Sequence, residues 1–298
     1  SLARLAFWMF LIVSVPVGFH HQFVDPGVPQ TWKWIHAILT YGVFLPSLMT
    51  AFTVIASLEY AGRKRGGSGL VGWIRTLPWD DPSVTSQLLA AILFMFGGIG
   101  GLTNASYNLN LVIHNTAWVP GHFHLTVATA VTLSFIGITY WMIPYLTGKA
   151  LWSRRIALFQ AWTWFVGMII FSNAMHMLGL LGAPRRTPLG EALYVPESWD
   201  GHLMRVSVGG AILLVSVVTY VWIIVKTLMG PKVEAELVPQ VPIAESVRDP
   251  QLTPGWLDSF QPWLIAAGVL LVIAYGPQLF DQIVNMRLNA PGVDFTPW

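Results

Sequence analysis

Long apolar stretches separated by short polar connections recur along the whole chain. The hydrocarbon core of a bilayer is about 30 Å thick, and about 20 apolar residues in an α-helix cross it. Helices are favoured because their backbone groups are hydrogen-bonded within the segment. The pattern therefore predicts an all-α, polytopic transmembrane helical bundle. Seven spans are predicted, at residues 2–19, 34–61, 85–103, 121–147, 155–181, 203–229 and 259–284.

Composition supports a membrane protein and restricts the chemistry. Of the 298 residues, 54% are hydrophobic and 10% are charged, whereas about a quarter of a soluble domain is charged. The chain has no cysteine, which excludes disulfides, iron–sulfur clusters and thiolate-bound copper within it. It starts at Ser1, without methionine and inside an apolar stretch. This start predicts a fragment or a processed chain.

Basic residues concentrate in alternate connections. The first, third and fifth connections hold only Lys33, Arg185 and Arg186. By the positive-inside rule, the richer set lies in the cytoplasm. The amino terminus is then cytoplasmic and the carboxy terminus external. The basic residues of the second, fourth and sixth connections are Arg63, Lys64, Arg65, Arg75, Lys149, Arg154, Arg155, Lys232 and Arg248.

The segment from Val233 to Gly255 is rich in proline and acidic residues. Such a composition is typical of a linker. Residues 1–232 are therefore predicted to form a core of six spans, residues 233–258 a cytoplasmic linker, and residues 259–298 a peripheral transmembrane helix with an external tail.

Two histidines stand at the start of the fourth predicted span, in Trp118-Val-Pro-Gly-His-Phe-His124. Residues two apart on an α-helix lie about 200° apart around its axis. His122 and His124 therefore point to opposite neighbours, which suits two flat cofactors better than one metal ion. Histidine is a common axial ligand of haem iron. The alternative is a pair of histidines that hydrogen-bond between membrane helices.

A second histidine pair, His20 and His21, ends the first predicted span. The topology places it at the same depth as His122 and His124, toward the external face. Imidazole suits copper, and two adjacent ligands leave coordination positions open. We predict a copper half-site here; the alternative is a histidine pair on an outer loop.

Three further features carry candidate chemistry. Arg185 and Arg186 lie on the predicted external side and match the bidentate geometry of carboxylates such as haem propionates; the alternative is a solvated loop pair. The glycine run from Phe96 to Gly101 predicts a close helix approach. The second span carries hydroxyls every three residues, which predicts a proton path, or side chains that bond back to their own helix. These hydroxyl residues are Ser47, Thr50 and Thr53.

Together the motifs resemble the carboxy-terminal half of subunit I of the haem–copper terminal oxidases. The resemblance covers essentially the whole chain and is strongest to the B-family, ba-type cytochrome c oxidases. The motifs that carry it are Gly18-Phe-His-His-Gln22, Pro46-Ser-Leu-Met-Thr50, His114-Asn-Thr-Ala-Trp-Val-Pro-Gly-His-Phe-His124 and Pro184-Arg-Arg186.

The resemblance implies roles for individual residues. His20 and His21 resemble two of the three ligands of the active-site copper (CuB). His122 resembles the axial ligand of a high-spin, a-type haem, and His124 one ligand of the low-spin haem b. The arginines resemble propionate partners, and Asn110 and His114 are expected among the cofactor-binding residues. Ser47, Thr50 and Thr53 resemble the single proton pathway of this family.

The resemblance also implies a reaction and partners. The expected function is oxygen reduction to water with electrons from cytochrome c, coupled to proton pumping, in a bacterial plasma membrane. The expected partners are subunit II with its binuclear copper centre, cytochrome c, the lipid bilayer and the amino-terminal half of subunit I; a nucleic acid is not among them. That half holds the third copper histidine and the second low-spin haem histidine, so the chain alone is expected to be incomplete. Close relatives have an aspartate where this chain has Asn110.

Three other functions remain open at this stage. A nitric oxide reductase or a quinol-oxidising member of the same superfamily would share much of the fold. A proton-coupled membrane transporter could use intramembrane histidines as proton relays, but it would contain no haem.

Overall fold

The computed structural model describes residues 2–186, 195–234, 239 and 259–284. Its regular structure is helical, as predicted. The α-helices are α1 (Leu2–Ser14), α2 (Gln30–Lys64), α3 (Gly72–Arg75), α4 (Pro82–Ala105), α5 (Tyr107–Ile113), α6 (Trp118–Leu125), α7 (Thr132–Thr147), α8 (Arg154–Leu180), α9 (Asp200–Met229) and α10 (Phe260–Val284). A π-helical turn, Thr126–Val131, joins α6 to α7, and 3₁₀ segments cover Val15–Gln22 and Glu197–Trp199.

Five helical segments of the described chain are long and apolar enough to cross a membrane. They match five of the predicted spans to within a few residues. The first predicted span corresponds to the shorter apolar helix Leu2–Ser14, and the last corresponds to the apolar stretch Gln261–Pro277 within α10. The five long segments are Gln30–Lys64, Pro82–Ala105, Trp118–Thr147, Arg154–Leu180 and Glu197–Met229.

One predicted boundary needs correction. The first span was predicted as one segment to residue 19, but its α-helix ends at Ser14 and a 3₁₀ segment follows. Pro16 lies at the second position of that segment, and proline has no backbone N–H to continue an α-helical hydrogen-bond ladder. The third connection, for which no secondary structure was predicted, contains the short helix α5. The predicted linker falls mostly, and the external tail entirely, outside the described residues.

The chain divides into two compact units. The first unit comprises Ser1–Glu59, Leu102–Leu111 and Ile243–Trp298. Within it, Trp8 of α1 stacks on Trp263 of α10 with ring centroids 3.5 Å apart. The backbone N–H of Gly18 donates to the hydroxyl of Tyr275 at 3.0 Å. These contacts hold the 3₁₀ segment, which contains His20 and His21, against α10.

The second unit comprises Tyr60–Gly101 and Val112–Pro242. Its core contains buried residues of α4, α7, α8 and α9, such as Leu89, Leu133, Trp164 and Ile223. Helices α8 and α9 pack closely because glycines lie at their contact: a Cβ on Gly209 would lie 2.8 Å from the backbone of Phe171. Small residues allow such an approach between membrane helices.

Polar side chains also connect the helices of this unit. The hydroxyl of Tyr140 donates to Oε1 of Gln160 at 2.7 Å, and Nε2 of Gln160 donates to Oγ of Ser216 at 2.9 Å. All three residues are buried. A buried polar group without a partner is costly, so these paired groups fix how α7, α8 and α9 meet.

Candidate metal centre

Helix α6 carries His124 with one ring nitrogen already engaged. Its Nδ1 lies 2.6 Å from the carbonyl oxygen of Pro120. A carbonyl only accepts hydrogen bonds, so Nδ1 carries the proton and donates. With Nδ1 as the donor, Nε2 is the ring nitrogen that remains for a metal ion. Metal-ligating histidines have this arrangement, in which the second nitrogen is held by a backbone carbonyl.

His122, two residues earlier, is buried between glycines of α4 and an aromatic ring. Its ring lies nearly parallel to that of Trp118, with centroids 6.0 Å apart and planes 14° apart. A Cβ on Gly100 would lie 2.7 Å from Nδ1 of His122, and a Cβ on Gly97 would lie 2.5 Å from Thr126. The close approach predicted from the glycine run is confirmed, and it creates the space for the imidazole.

The helix changes its winding directly after the two histidines. The π-helical turn Thr126–Val131 begins two residues beyond His124. Thr129 Oγ1 donates to the carbonyl oxygen of His124 at 2.7 Å, across five residues. Single π turns inside α-helices occur frequently at functional sites. Hydropathy predicts one continuous span here, and the π turn was missed because it leaves the apolar pattern unchanged.

In the first unit, the structure brings the two predicted copper ligands together. The Nε2 atoms of His20 and His21 lie 2.8 Å apart, and the rings are tilted by 56°. Two nitrogens this close can coordinate one ion at the usual metal–nitrogen distance of about 2 Å. Thr40 Oγ1 lies 3.3 Å from Nδ1 of His20, so α2 contributes to the orientation of that ring.

Asn110 supports the same segment from α5. Its Nδ2 donates to the carbonyl oxygen of Asn104 at 2.8 Å and makes a long contact of 3.5 Å with that of His20. Asn110 is 2% exposed, and its Oδ1 is buried without a hydrogen-bond partner. A buried acceptor without a donor is costly, and a polar cofactor or a water molecule beside α5 would satisfy it.

The structure pairs the loop that holds His114 with the loop that holds the two arginines. The N–H of Arg185 donates to the carbonyl oxygen of Asn115 at 2.8 Å, and Ala117 N–H donates to Ala183 O at the same distance. Asn115 and Arg186 adopt left-handed φ angles of 57° and 61°. Residues predicted separately, His114 and Arg185 with Arg186, therefore lie on adjoining loops of the second unit.

The three hydroxyls of α2 bond to their own helix. Ser47, Thr50 and Thr53 each donate to the carbonyl four residues earlier, at 2.9, 2.9 and 2.8 Å. This is the local bonding expected of Ser and Thr in membrane helices. Each oxygen keeps its lone pairs for water, so the proton path remains a prediction.

The residues present fit two haem ligands and part of a copper site. Among the described residues, no group of three or more His, Cys, Asp or Glu side chains forms a metal cluster. A complete copper site therefore needs a ligand beyond His20 and His21. Sequence reasoning missed Ser172 and His176 of α8, which contact α6; their four-residue spacing on an apolar span was the available signal.

The fold is that of a helical membrane protein, and imidazole nitrogens such as those of its histidines are common ligands of haem iron and copper. The sequence profile of the family "Cytochrome C and Quinol oxidase polypeptide I" matches residues 1–212. The chain belongs to this family of oxidase catalytic subunits, which implies haem and copper cofactors.

Individual relatives support the assignment. The chain is 46% identical over 293 residues to a cytochrome c oxidase subunit 1 of Thermus thermophilus, covering 95% of this chain and 52% of that protein. A second Thermus thermophilus cytochrome c oxidase subunit 1 sequence is 50% identical over 108 residues, 36% of this chain and all of that sequence. The Halobacterium salinarum cytochrome c oxidase polypeptide 1 is 29% identical over 204 residues, 66% of this chain and 32% of that protein.

A solved structure has the same fold. The chain superposes on a haem–copper terminal oxidase dimer determined by cryo-EM with a TM-score of 0.84 and 39% identity. The match covers 99% of this chain and 52% of that one. The chain thus spans about half the length of its longer relatives.

Proposed function

We propose that this chain is the carboxy-terminal half of the catalytic subunit of a respiratory oxidase. The complete enzyme reduces oxygen to water with electrons from cytochrome c and pumps protons. One observation carries the proposal: His122 and His124 lie on one short helix, and Nδ1 of His124 is already held by a backbone carbonyl. The sequence relationship to cytochrome c oxidase subunits favours this reaction over nitric oxide reduction, quinol oxidation or transport.

Each histidine has a proposed role. His124 binds the low-spin haem b, and His122 binds the high-spin, a-type haem. His20 and His21 hold CuB through their converging Nε2 atoms. Bound haem and copper supply the electron-transfer steps and the position at which oxygen binds. The protein fixes the ring orientations of these ligands.

Other residues bind polar or charged groups of the cofactors, or order water for proton uptake. Arg185 and Arg186 bind haem propionates, because guanidinium groups pair with carboxylates through two parallel hydrogen bonds. His114, on the loop that adjoins the arginines, contributes to cofactor binding in this proposal. Separately, Asn110 Oδ1 accepts a hydrogen bond from a polar cofactor group beside α5. The hydroxyls of α2 order water for proton uptake. The metal sites lie toward the external face of a bacterial plasma membrane, since the basic connections are cytoplasmic.

The missing ligands come from partners in this proposal. The amino-terminal half of subunit I supplies the third copper histidine and the second ligand of haem b. Subunit II brings the binuclear copper centre that accepts electrons from cytochrome c.

The test is to purify the membrane complex that contains this chain. We expect reduced-minus-oxidised and carbon monoxide difference spectra of one low-spin and one high-spin haem, copper in the complex, and oxygen consumption with reduced cytochrome c. A complex without haem would contradict the oxidase assignment. Turnover with quinol or nitric oxide, but not with cytochrome c and oxygen, would favour the alternatives.

A further inference from the structure

One face of α8 lies directly against the first turns of α6. Ser172, His176 and Gly179 are four and three residues apart, so they share one face of the helix. A Cβ on Gly179 would overlap the backbone nitrogen of Trp118. Only a glycine allows the two backbones to approach this closely, so α6 is held at a fixed distance from α8.

Ser172 fixes the peptide group that precedes His122. Its Oγ donates to the carbonyl oxygen of Gly121 at 2.7 Å, and Ser172 is fully buried. A carbonyl oxygen has two lone pairs, so it accepts this bond in addition to one within its own helix. The serine hydroxyl thereby links α8 to the residue adjacent to the proposed haem ligand.

His176 adds a second contact on the same face. Its Nδ1 lies 2.7 Å from the carbonyl oxygen of Ser172 and must donate to it. A Cβ on Gly121 would lie 2.9 Å from this nitrogen, so the imidazole covers the Gly121 peptide. The proposed roles of the haem and copper ligands leave His176 without a function.

Trp118 connects His176 to His122. The rings of His176 and Trp118 pack edge-to-face, with centroids 4.8 Å apart and planes 82° apart. The Trp118 ring is also nearly parallel to the imidazole of His122, with centroids 6.0 Å apart. Trp118 is 7% exposed and has little room to rotate. A change at position 176 therefore reaches the His122 ring through one rigid indole.

We propose that Ser172 and His176 are positioning residues that set the orientation of the His122 imidazole. The inference rests on the proposed role of His122 as ligand of the high-spin haem. Partners outside the ligand shell fix ring orientation and ligand basicity, and losing one typically changes metal affinity or activity by about 10- to 100-fold. Ser172 and His176 act on the haem through the ligand and do not touch the reacting atoms.

The experiment compares four variants of the complete complex: Ser172→Ala, His176→Leu, His176→Asn and Thr163→Val. We measure haem content, the iron–histidine stretching frequency by resonance Raman spectroscopy, and the reduction midpoint of the high-spin haem. Ser172→Ala and His176→Leu are expected to shift the frequency and to change the redox equilibrium constant by about tenfold, or about 59 mV for one electron. His176→Asn keeps a donor near the position of Nδ1 and should lie closer to the wild type.

Thr163→Val is the matched control, because Thr163 is on the same helix but bonds to the carbonyl of Phe159, at 2.6 Å, and not to α6. It should leave frequency and midpoint unchanged. A merely structural role would lower the melting temperature of Ser172→Ala and His176→Leu without moving either spectroscopic value, and that result would overturn the proposal.

The ligand role of His122 and the positioning role of Ser172 and His176 can be disproved independently. If the wild-type complex has no high-spin haem, or if His122→Ala leaves that haem bound with its iron–histidine band, the proposed ligand role is wrong. If the band depends on His122 but is unmoved in both Ser172→Ala and His176→Leu, only the positioning role is wrong.

Discussion

The Nδ1–H group of His124 donates to the carbonyl oxygen of Pro120, one turn earlier in the same helix, at 2.6 Å. The bond places the proton on Nδ1 and restricts the rotation of the ring. The bond lies within helix α6, and the ring of His124 also contacts Phe171 of α8, with centroids 4.7 Å apart. By contrast, His122 is confined by Gly100 of α4 and by the Trp118 ring of its own helix.

Replacing each of these histidines should remove a different haem signal. We expect His124→Ala to abolish the low-spin haem spectrum and His122→Ala to disturb the high-spin, carbon monoxide-binding haem. The physical reason is that the two rings leave one helix on opposite sides. Optical and EPR spectra of the purified complexes measure both signals. Loss of the same haem in both variants would contradict two separate ligands.

Glycines of α4 provide a matched pair for testing the space around His122. A Cβ at Gly100 would lie 2.7 Å from His122 Nδ1, whereas a Cβ at Gly98 meets nothing within 4 Å. Gly100→Ala should therefore displace the imidazole and lower high-spin haem content. Gly98→Ala should leave it unchanged and favour the helix by up to about 1 kcal/mol. Haem content and thermal melting separate the two. Equal haem content in both variants would show that α4 does not confine His122.

The apolar runs made the long helices predictable, because about 20 apolar residues specify a membrane span. For example, the spans predicted at residues 155–181 and 203–229 agree within three residues with helices Arg154–Leu180 and Asp200–Met229 of the structure. The two histidine motifs were also visible, since residue type and spacing define them.

Contacts between distant segments were not predictable in the same way. The bond between Arg185 N–H and Asn115 O joins two loops. Each loop contains a residue with a left-handed φ angle, Asn115 in one and Arg186 in the other, and neither of these is a glycine. The link from Ser172 to Gly121 depends on how α8 is rotated against α6. Hydropathy does not specify helix rotation in a chain whose spans are apolar on most sides, so these contacts follow from packing alone.

Copper content should depend on the converging pair in the first unit. His21→Ala removes one of two nitrogens that lie 2.8 Å apart and should lower copper per complex, with both haem spectra retained. His202→Ala is the control, because His202 contacts Arg205 at the start of α9, outside the proposed site. Metal analysis by mass spectrometry gives the ratio of copper to protein. Full copper in His21→Ala would contradict the ligand role, as would equal loss in His202→Ala.

Proton uptake is the property that the hydroxyls of α2 should control. A proton consumed at the proposed copper site must cross much of an apolar layer about 30 Å thick. The Thr50 hydroxyl donates to Pro46 O at 2.9 Å, which leaves its oxygen free to accept a hydrogen bond from water and so to order a water file.

Thr50→Val keeps the side-chain shape and removes the hydroxyl. We expect slower steady-state oxygen reduction by the complete enzyme, by about 10-fold or more if the hydroxyl takes part in a rate-limiting proton transfer, with both haem spectra unchanged. Thr219→Val on α9 is the matched control, because Thr219 makes the same bond to its own helix, to Val215 O at 2.7 Å. Valine at position 219 should leave turnover normal. Since both threonines satisfy their own helix equally well, a loss confined to Thr50→Val can only come from the additional interactions of that hydroxyl. Normal turnover in Thr50→Val would assign the polar face of α2 to local helix bonding.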